Sequence, residues 1–437
     1  MRSTPASKPR RRFLTLLMAV LLLGVTEAMI GPYIVLFGAE RLRLSALQIG
    51  VFVSMTSVSG MAVSILLGRR YDRRPGRQPA MLAASLAGTG YLLLLTGPPY
   101  PLLLLIAVLF IGPGSAAFPQ LFALARSHAD RTASGSGAGS GARTPLLRSA
   151  WSLAWAIGPL AGGALLGGGG YTAVLAATAA GYCLMVVTVL GLGGGPAAVR
   201  QPAGADRGPA VPARAAALPI AAFTLFHTAM FSGAVVLPLY VTRELHGSAD
   251  VVGWMFSVCA AAEIPAALAL LLPGRWSRRR AILLGMALMT VYLVLLAIFT
   301  STVALVLVHL ARGVAIAFVG ALGISHMQDL FPQAPGRATT LFANTAAAGA
   351  LVSGIAAGGI SQALGYHAAL VCCAVVSAVA WLLFLLAGRQ APVGKQPVKA
   401  QPVRAPEPAA APEPAAAPEP FLGTAADDRG PTPSDES

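Results

Sequence analysis

The sequence predicts an all-α polytopic membrane protein of twelve transmembrane helices, arranged as two six-helix halves with both termini in the cytoplasm. Composition, the spacing of apolar runs and the placement of charge predict it. Of 437 residues, 56% are apolar and 11% charged, against about 25% charged in a soluble domain. The charges fall in short clusters between apolar runs of roughly 18 to 25 residues, the length that crosses about 30 Å of hydrocarbon. In lipid only helices and closed barrels satisfy the backbone, and runs this continuous are helices.

The runs lie at about 13–37, 47–67, 79–97, 100–125, 145–167, 171–194, 217–241, 251–272, 281–299, 303–327, 338–361 and 366–388. A basic tail, 1–12, precedes the first run, which is long and lacks a small-residue cleavage site, so it reads as a span rather than a signal peptide. The Gly/Pro/Ala-rich linker 195–216 divides an N-terminal half, 13–194, from a C-terminal half, 217–388. The tail 389–437 contains "PEPAAAPEPAAAPEP" and is expected to be a disordered spacer with no means of forming a core.

Charge sets the orientation. The tails, the even-numbered loops and their borders hold 27 of the 31 Lys and Arg; the rest are Arg41, Arg43 and Arg243 in odd loops and Arg312 inside a span. Cytoplasmic loops carry the excess of Lys and Arg. The net charge of +15 therefore reports topology and contact with anionic membrane lipid, not nucleic-acid binding. The four cysteines all fall within spans, as packing residues rather than a disulfide framework. The histidines are scattered, so neither a metal site nor a cofactor is expected.

A weak internal repeat supports the two halves. The stretch from Leu47 aligns with the stretch from Asp250, so that Gly50 matches Gly253 and Ser54 matches Ser257. Two parallel six-span halves predict a substrate site near the midplane, between the halves. Loop 68–77, "GRRYDRRPGR", contains Gly68, Asp72, Arg73, Gly76 and Arg77. Asp72 is the loop's only acid and carries nothing for topology. The second copy, "PGRWSRRR", has no acid.

Buried polar groups mark the rest of the site. A charge at mid-bilayer costs at least ~2.5–3.5 kcal/mol. Glu27, Glu263 and Arg312 lie deep in spans 1, 8 and 10, and His309 stands one turn from Arg312 on the same face. Either carboxylate is placed to pair with Arg312 or to carry a proton. Trp151 and Trp155 share a helix face with Arg148 and are substrate-binding candidates, as aromatic faces deep in a span. Asn344 and Gln120 offer amides that donate and accept. Arg126 and Arg148 lie near the cytoplasmic boundary and are able to snorkel. In "RSAWSLAWAIGPLAGG", Gly158, Pro159 and Gly162 are expected to form a close-packed bend beside the substrate path.

The loop 68–77 resembles the G-x-x-x-D-R-x-G-R element of the major facilitator superfamily with one residue inserted, which implies that Gly68, Asp72 and Arg73 help gate the cytoplasmic face, and "GPLAGG" resembles the fifth-span G-P-x-x-G-G element of its antiporters. "FPQLFALARSHAD", "LLRSAWSLAWAIGP", "AAAEIPA" and "QDLFPQAPGRATTLFANT" are similar to the bacterial sugar efflux transporter family within that superfamily. The resemblance covers roughly 13–388 and implies a multi-pass protein of the bacterial cytoplasmic membrane, not an enzyme, expected to act as a monomer. It implies export of a small-molecule substrate, a sugar or glycoside, in exchange for protons. Gln120, Arg126, Arg148, Trp155, Pro159, Glu263, Gln328, Asp329, Arg337 and Asn344 fall in the matching segments. Glu27 falls outside the family pattern, and the arginine many relatives carry in span 4 is missing. The runner-up is a multidrug or toxic-metabolite exporter of the same fold, since Glu27 and Glu263 would suit an apolar cation.

Overall fold

A computed structural model describes residues 7–74, 76–134, 140–192, 213–270, 277–331 and 335–387. Most of the linker and the whole of the tail, with the expectations made for them, lie outside these residues. Among the described residues the chain is helical apart from short connections. Helix α1 is Ser7–Ile30, resumed as Tyr33–Leu36 and a π turn Phe37–Arg41; α2 is Ala46–Arg73 and α3 is Gln78–Leu94. Helix α4 is assembled from Tyr100–Ile106, a π turn Ala107–Ile111, Gly112–Gly114 and Ala117–Ser134. Helices α5 and α6 are the two arms of the run Ser140–Leu190. In the second half, α7 is Ala213–Leu239 with a π turn Tyr240–Glu244, α8 is Ala249–Ala269 and α9 is Arg278–Ile298. The last three are α10 (Thr302–Leu330), α11 (Pro335–Leu364) and α12 (Tyr366–Ala387). Ten helices among the described residues are long and apolar enough to cross a membrane, taking Ser149–Leu190 as one and leaving out the 17-residue α3.

The 51-residue run Ser140–Leu190 is too long for one crossing, since a straight helix of that length would reach about 76 Å. It breaks at Gly170, where φ is 63° and ψ is −166°, at the end of the quartet 167–170. Packing on α1 proves the reversal. Gly24 touches Ala154 and Gly158 touches Ala28, while Gly181 packs on Thr26. Residues on both sides of Gly170 thus meet α1 at one level, so α5 and α6 are antiparallel arms. The backbone stays helical through Gly158, Pro159 and Gly162; the chain breaks eight residues after Gly162, not within "GPLAGG".

The repeat is written into the backbone. The π turns ending α1 and α7 are followed by the two non-glycine residues with positive φ, Arg43 at 52° and His246 at 53°, and then by N-cap Ser45 and Ser248. These pairs keep the offset that aligns Gly50 with Gly253. Side chains with a Cβ rarely adopt this conformation, so its recurrence marks one supersecondary unit used twice. Ser45 closes a reciprocal cap with Gln48, accepting from its N–H at 3.2 Å and donating its own N–H to Oε1 at 2.9 Å.

Contacts at the helix ends sort the loops onto two faces. On one face Arg77 donates to the Leu190 carbonyl, Arg279 to the Leu385 carbonyl, and Arg278 pairs with Asp329. This basic face gathers the even-numbered loops. The opposite face joins Tyr171 to Glu40, Arg243 to Ala39 and Tyr366, and the His367 N–H to Glu244. The alternation is the one expected from the positive residues. The second basic loop, which has no acid of its own, is given one by Asp329 at the end of the neighbouring helix α10. Each half has its own apolar core, one built around Leu23, Tyr33 and Leu121 and the other around Phe223, Met286 and Tyr292.

Candidate functional site: the seam between the halves

The two halves meet along two seams, both towards the face opposite the basic loops. In the first, α2 lies on α11. A Cβ at Gly50 would land on the Gly354 carbonyl, and one at Gly358 on the Ala46 carbonyl, so the backbones touch. Ser54 enters a turn of α11, donating to the Leu351 carbonyl at 2.8 Å and accepting from the Ile355 N–H at 3.0 Å. The Leu47 N–H reaches Gln362 Oε1 at 3.1 Å.

In the second seam α5 lies on α8, with α1 as a wedge. Tyr33, fully buried, donates to the Pro159 carbonyl at 2.8 Å. Its ring packs on Gly162, and its hydroxyl occupies the space a Cβ would need at Gly253 across the seam. Gly163 faces the Asp250 carboxylate. The sequence-predicted gating residues therefore act here as sockets: Gly158 seats Ala28, Gly162 seats Tyr33, and the carbonyl of Pro159 holds its hydroxyl.

Towards the basic face the seams open. On α11, Asn344 lies on the stripe that carries Leu351 and Ile355 to α2, seven and eleven positions along. Those two residues meet Ser54, whereas Asn344 is exposed. On α2 the matching stripe continues to Met61 and Ile65, both exposed, and to Gly68, with open space around it. Below the contacts made by Ser54 and Tyr33, these stripes of α2 and α11 are therefore exposed towards the basic face.

Trp155 stands one helical turn from Pro159, on the basic side of the Tyr33 contact. Its ring edge lies against Gly31 of α1, and its Nε1 is buried with no hydrogen-bond partner among the described residues. Trp151, one turn below, packs on Phe118 of α4 with the rings tilted by 40° and 3.9 Å between centroids, and lies against Gly24. Gln120 on α4 is buried with Oε1 unpartnered. Arg126, Arg148 and Asp72 lie on helices, but their side chains are outside the described residues; Arg73 is exposed.

The charged residues separate into two groups. Glu27 belongs to the N-terminal half, within Coulombic reach of Tyr91 and Tyr182, whose rings stack at 5.8 Å; its Oε1 is buried without a partner among the described residues. Arg312 belongs to the C-terminal half and is 6% exposed. Its guanidinium lies 5.0 Å from the Phe256 ring centre and 5.8 Å from that of Tyr292, a desolvated cation–π arrangement. Glu263 is the carboxylate within its Coulombic reach, so the structure brings Arg312 together with Glu263. His309, fully buried, donates from Nδ1 to the Leu305 carbonyl at 2.7 Å. That fixes the proton on Nδ1 and leaves Nε2 to accept from the Tyr292 hydroxyl, 3.1 Å away. Arg312 reaches that hydroxyl too, yet its Nη1 has no partner among the described residues. Sequence alone singles out neither Tyr33 nor Tyr292: both read as ordinary span aromatics.

The comparisons with known proteins agree with this architecture. The model of the Major Facilitator Superfamily matches residues 3–146 and 219–423. Sugar efflux transporter A of Dickeya chrysanthemi is 32% identical over 359 residues, 81% of this chain and 90% of the relative. Sugar efflux transporter A of Escherichia coli K12 is 30% identical over 392 residues, 88% and 97%. A Deinococcus radiodurans protein provisionally named a sugar efflux transporter is 34% identical over 395 residues, 86% and 98%. Among solved structures, the nucleoside transporter NupG superposes with a TM-score of 0.69 at 17% identity, covering 86% of this chain and 99% of that one. A bacterial homologue of the lysosomal transporter Spinster, in an inward-facing and occupied conformation, gives 0.66 at 13%, covering 89% and 98%. A multi-pass helical protein of the cytoplasmic membrane built from two repeated halves, this chain is a transporter rather than an enzyme and belongs to the major facilitator superfamily.

Proposed function

We propose that the protein exports sugars or glycosides across the cytoplasmic membrane by alternating access, in exchange for protons. The observation that carries the reading is the position of Trp155 and Asn344, an aromatic face beside the α5/α8 seam and an exposed amide on the seam-facing stripe of α11. The relatives named sugar efflux transporters, matched over most of their length, support the same substrate class. The excess of positive residues assigns the basic face to the cytoplasm. The closed seams then lie outside and the exposed stripes of α2 and α11 face inward, the arrangement in which an exporter loads.

Coupling falls to Glu263 and Arg312. An ionised Glu263 offsets the buried guanidinium; a protonated one leaves Arg312, with Nη1 already unpartnered, to seek another acceptor. That switch requires the proton to be taken up outside and released inside as the halves rock. The protein works as a monomer in contact with anionic lipid. The runner-up, an exporter of apolar cations, rests on Glu27 beside the stacked Tyr91 and Tyr182.

Inverted vesicles carrying the full chain test this. Labelled lactose or methyl β-galactoside is expected to accumulate when the lumen is acidified; accumulation of ethidium with no sugar uptake would select the runner-up. Glu263→Gln should abolish the uphill component and preserve sugar exchange. Unchanged uphill transport would remove Glu263 from the coupling.

A further inference from the structure

Resting on the sugar-export reading, we infer that Ser257 and Trp155 form a two-sided clamp for one ligand hydroxyl, placed across the α5/α8 seam directly beneath the Tyr33 closure. The two helices are antiparallel, and their register is fixed by two contacts. Gly163 meets Asp250, and Gly253 meets the Pro159 carbonyl 3.0 Å from where its Cβ would stand. One turn further into the membrane, the same faces carry Trp155 on α5 and Ser257 on α8.

Both residues present unused hydrogen-bonding groups there. Ser257 is 4% exposed and its hydroxyl has no partner among the described residues; the Trp155 Nε1 has none either. A third group joins them, because Pro159 has no N–H to donate to the carbonyl of Trp155. A buried polar group left unpaired costs about 1–3 kcal/mol. Two such side chains on facing helices from different halves call for an occupant that both donates and accepts.

The repeat supplies the control. Ser54 is the counterpart of Ser257 and stands one turn from Gly50, as Ser257 does from Gly253. Ser54 uses both hydrogen-bonding functions of its hydroxyl on the facing helix, at Leu351 and Ile355. The same serine is thus satisfied by protein at one seam and left for something else at the other. An alcohol fits: it accepts from the indole N–H, donates to the Ser257 oxygen or the Trp155 carbonyl, and carries no charge to be desolvated. A pyranose bound this way stacks on Trp155 and touches both halves at once.

The test is equilibrium binding of lactose, methyl β-galactoside and methyl α-glucoside to the purified full chain. Ser257→Ala and Trp155→Phe should each weaken binding of the recognised sugar about three- to tenfold, the loss expected for one neutral hydrogen bond. The double variant should fall short of the product of the two, because both act on one hydroxyl. Arg278→Ala, which removes an exposed ion pair on the basic face, should bind as the wild type does. If alanine lowers the thermal midpoint, Ser257→Cys repeats the measurement at nearly constant volume. Wild-type sugar binding that Ser257→Ala and Trp155→Phe leave within twofold overturns the clamp and spares sugar export. A wild type that binds none of the three sugars overturns both.

Discussion

The two seams begin from the same material and end differently. Each is entered by a helix that starts with a serine N-cap, reaches the partner half at a glycine and carries a serine one turn later. At α2/α11 glycine meets glycine, the backbones touch, and Ser54 is consumed by the facing turn. At α5/α8 the facing positions are Pro159 and Trp155, and a tyrosine from α1 fills the gap. The first seam is complete by itself. The second closes above Trp155 and leaves polar groups unused below it. A gene-duplicated interface has thus been divided into a hinge-like contact and a contact that a ligand completes.

The comparison is open to attack, beginning with its tightest contact. Gly354→Val puts methyl groups onto the Gly50 carbonyl and the Ser54 hydroxyl. Overpacking of this kind costs about 1–3 kcal/mol, so transport into vesicles, normalised to protein, should drop about tenfold to a hundredfold. Ser54→Ala comes next. Removing a hydroxyl bonded to both ends of the α11 turn should favour the open outer face about three- to tenfold, read as faster labelling of a cysteine introduced at Leu47 by an impermeant maleimide. Ser257→Ala should leave that labelling rate unchanged, which is the sharpest contrast the two serines offer. Tyr33→Phe removes the bond to Pro159 and keeps the ring in its glycine socket. It should shift the same readout by about two- to fivefold. The smallest effect belongs to Arg278→Ala. Its partner Asp329 is 63% exposed, and exposed pairs contribute about 0–1 kcal/mol, so transport should stay within about twofold of wild type.

Much of the architecture was legible in the residues because lipid leaves the chain few choices. Run length, loop charge and the Leu47/Asp250 alignment are enough for a helical membrane protein in two repeated halves. The site was legible in its parts. Trp155, Glu263, Arg312 and Asn344 stand out as polar or aromatic groups deep in apolar runs, and they lie on the seams or beside their partner. What a linear reading misses is which helix each group faces. Glu27 and Glu263 look equivalent by depth, yet one faces stacked tyrosines and the other approaches Arg312. The basic loop at 275–280 looks devoid of an acid because Asp329 reaches it from another helix. "GPLAGG" suggests a bend, since proline and glycine weaken helices in water; between packed spans they serve as sockets for Ala28 and Tyr33. Ser257 was visible in the repeat, but only the difference in its partners from those of Ser54 makes it informative.

The central claim is that a sugar occupies the α5/α8 seam and bridges the halves there. The most direct measurement is an experimental structure of the full chain with whichever sugar the vesicle assay selects. The account predicts ligand density stacked on Trp155, with one hydroxyl between its Nε1 and the Ser257 oxygen, and Ser54 still bonded to Leu351 and Ile355. Density held within one half, against Glu27 and the Tyr91/Tyr182 pair with Ser257 untouched, would contradict it.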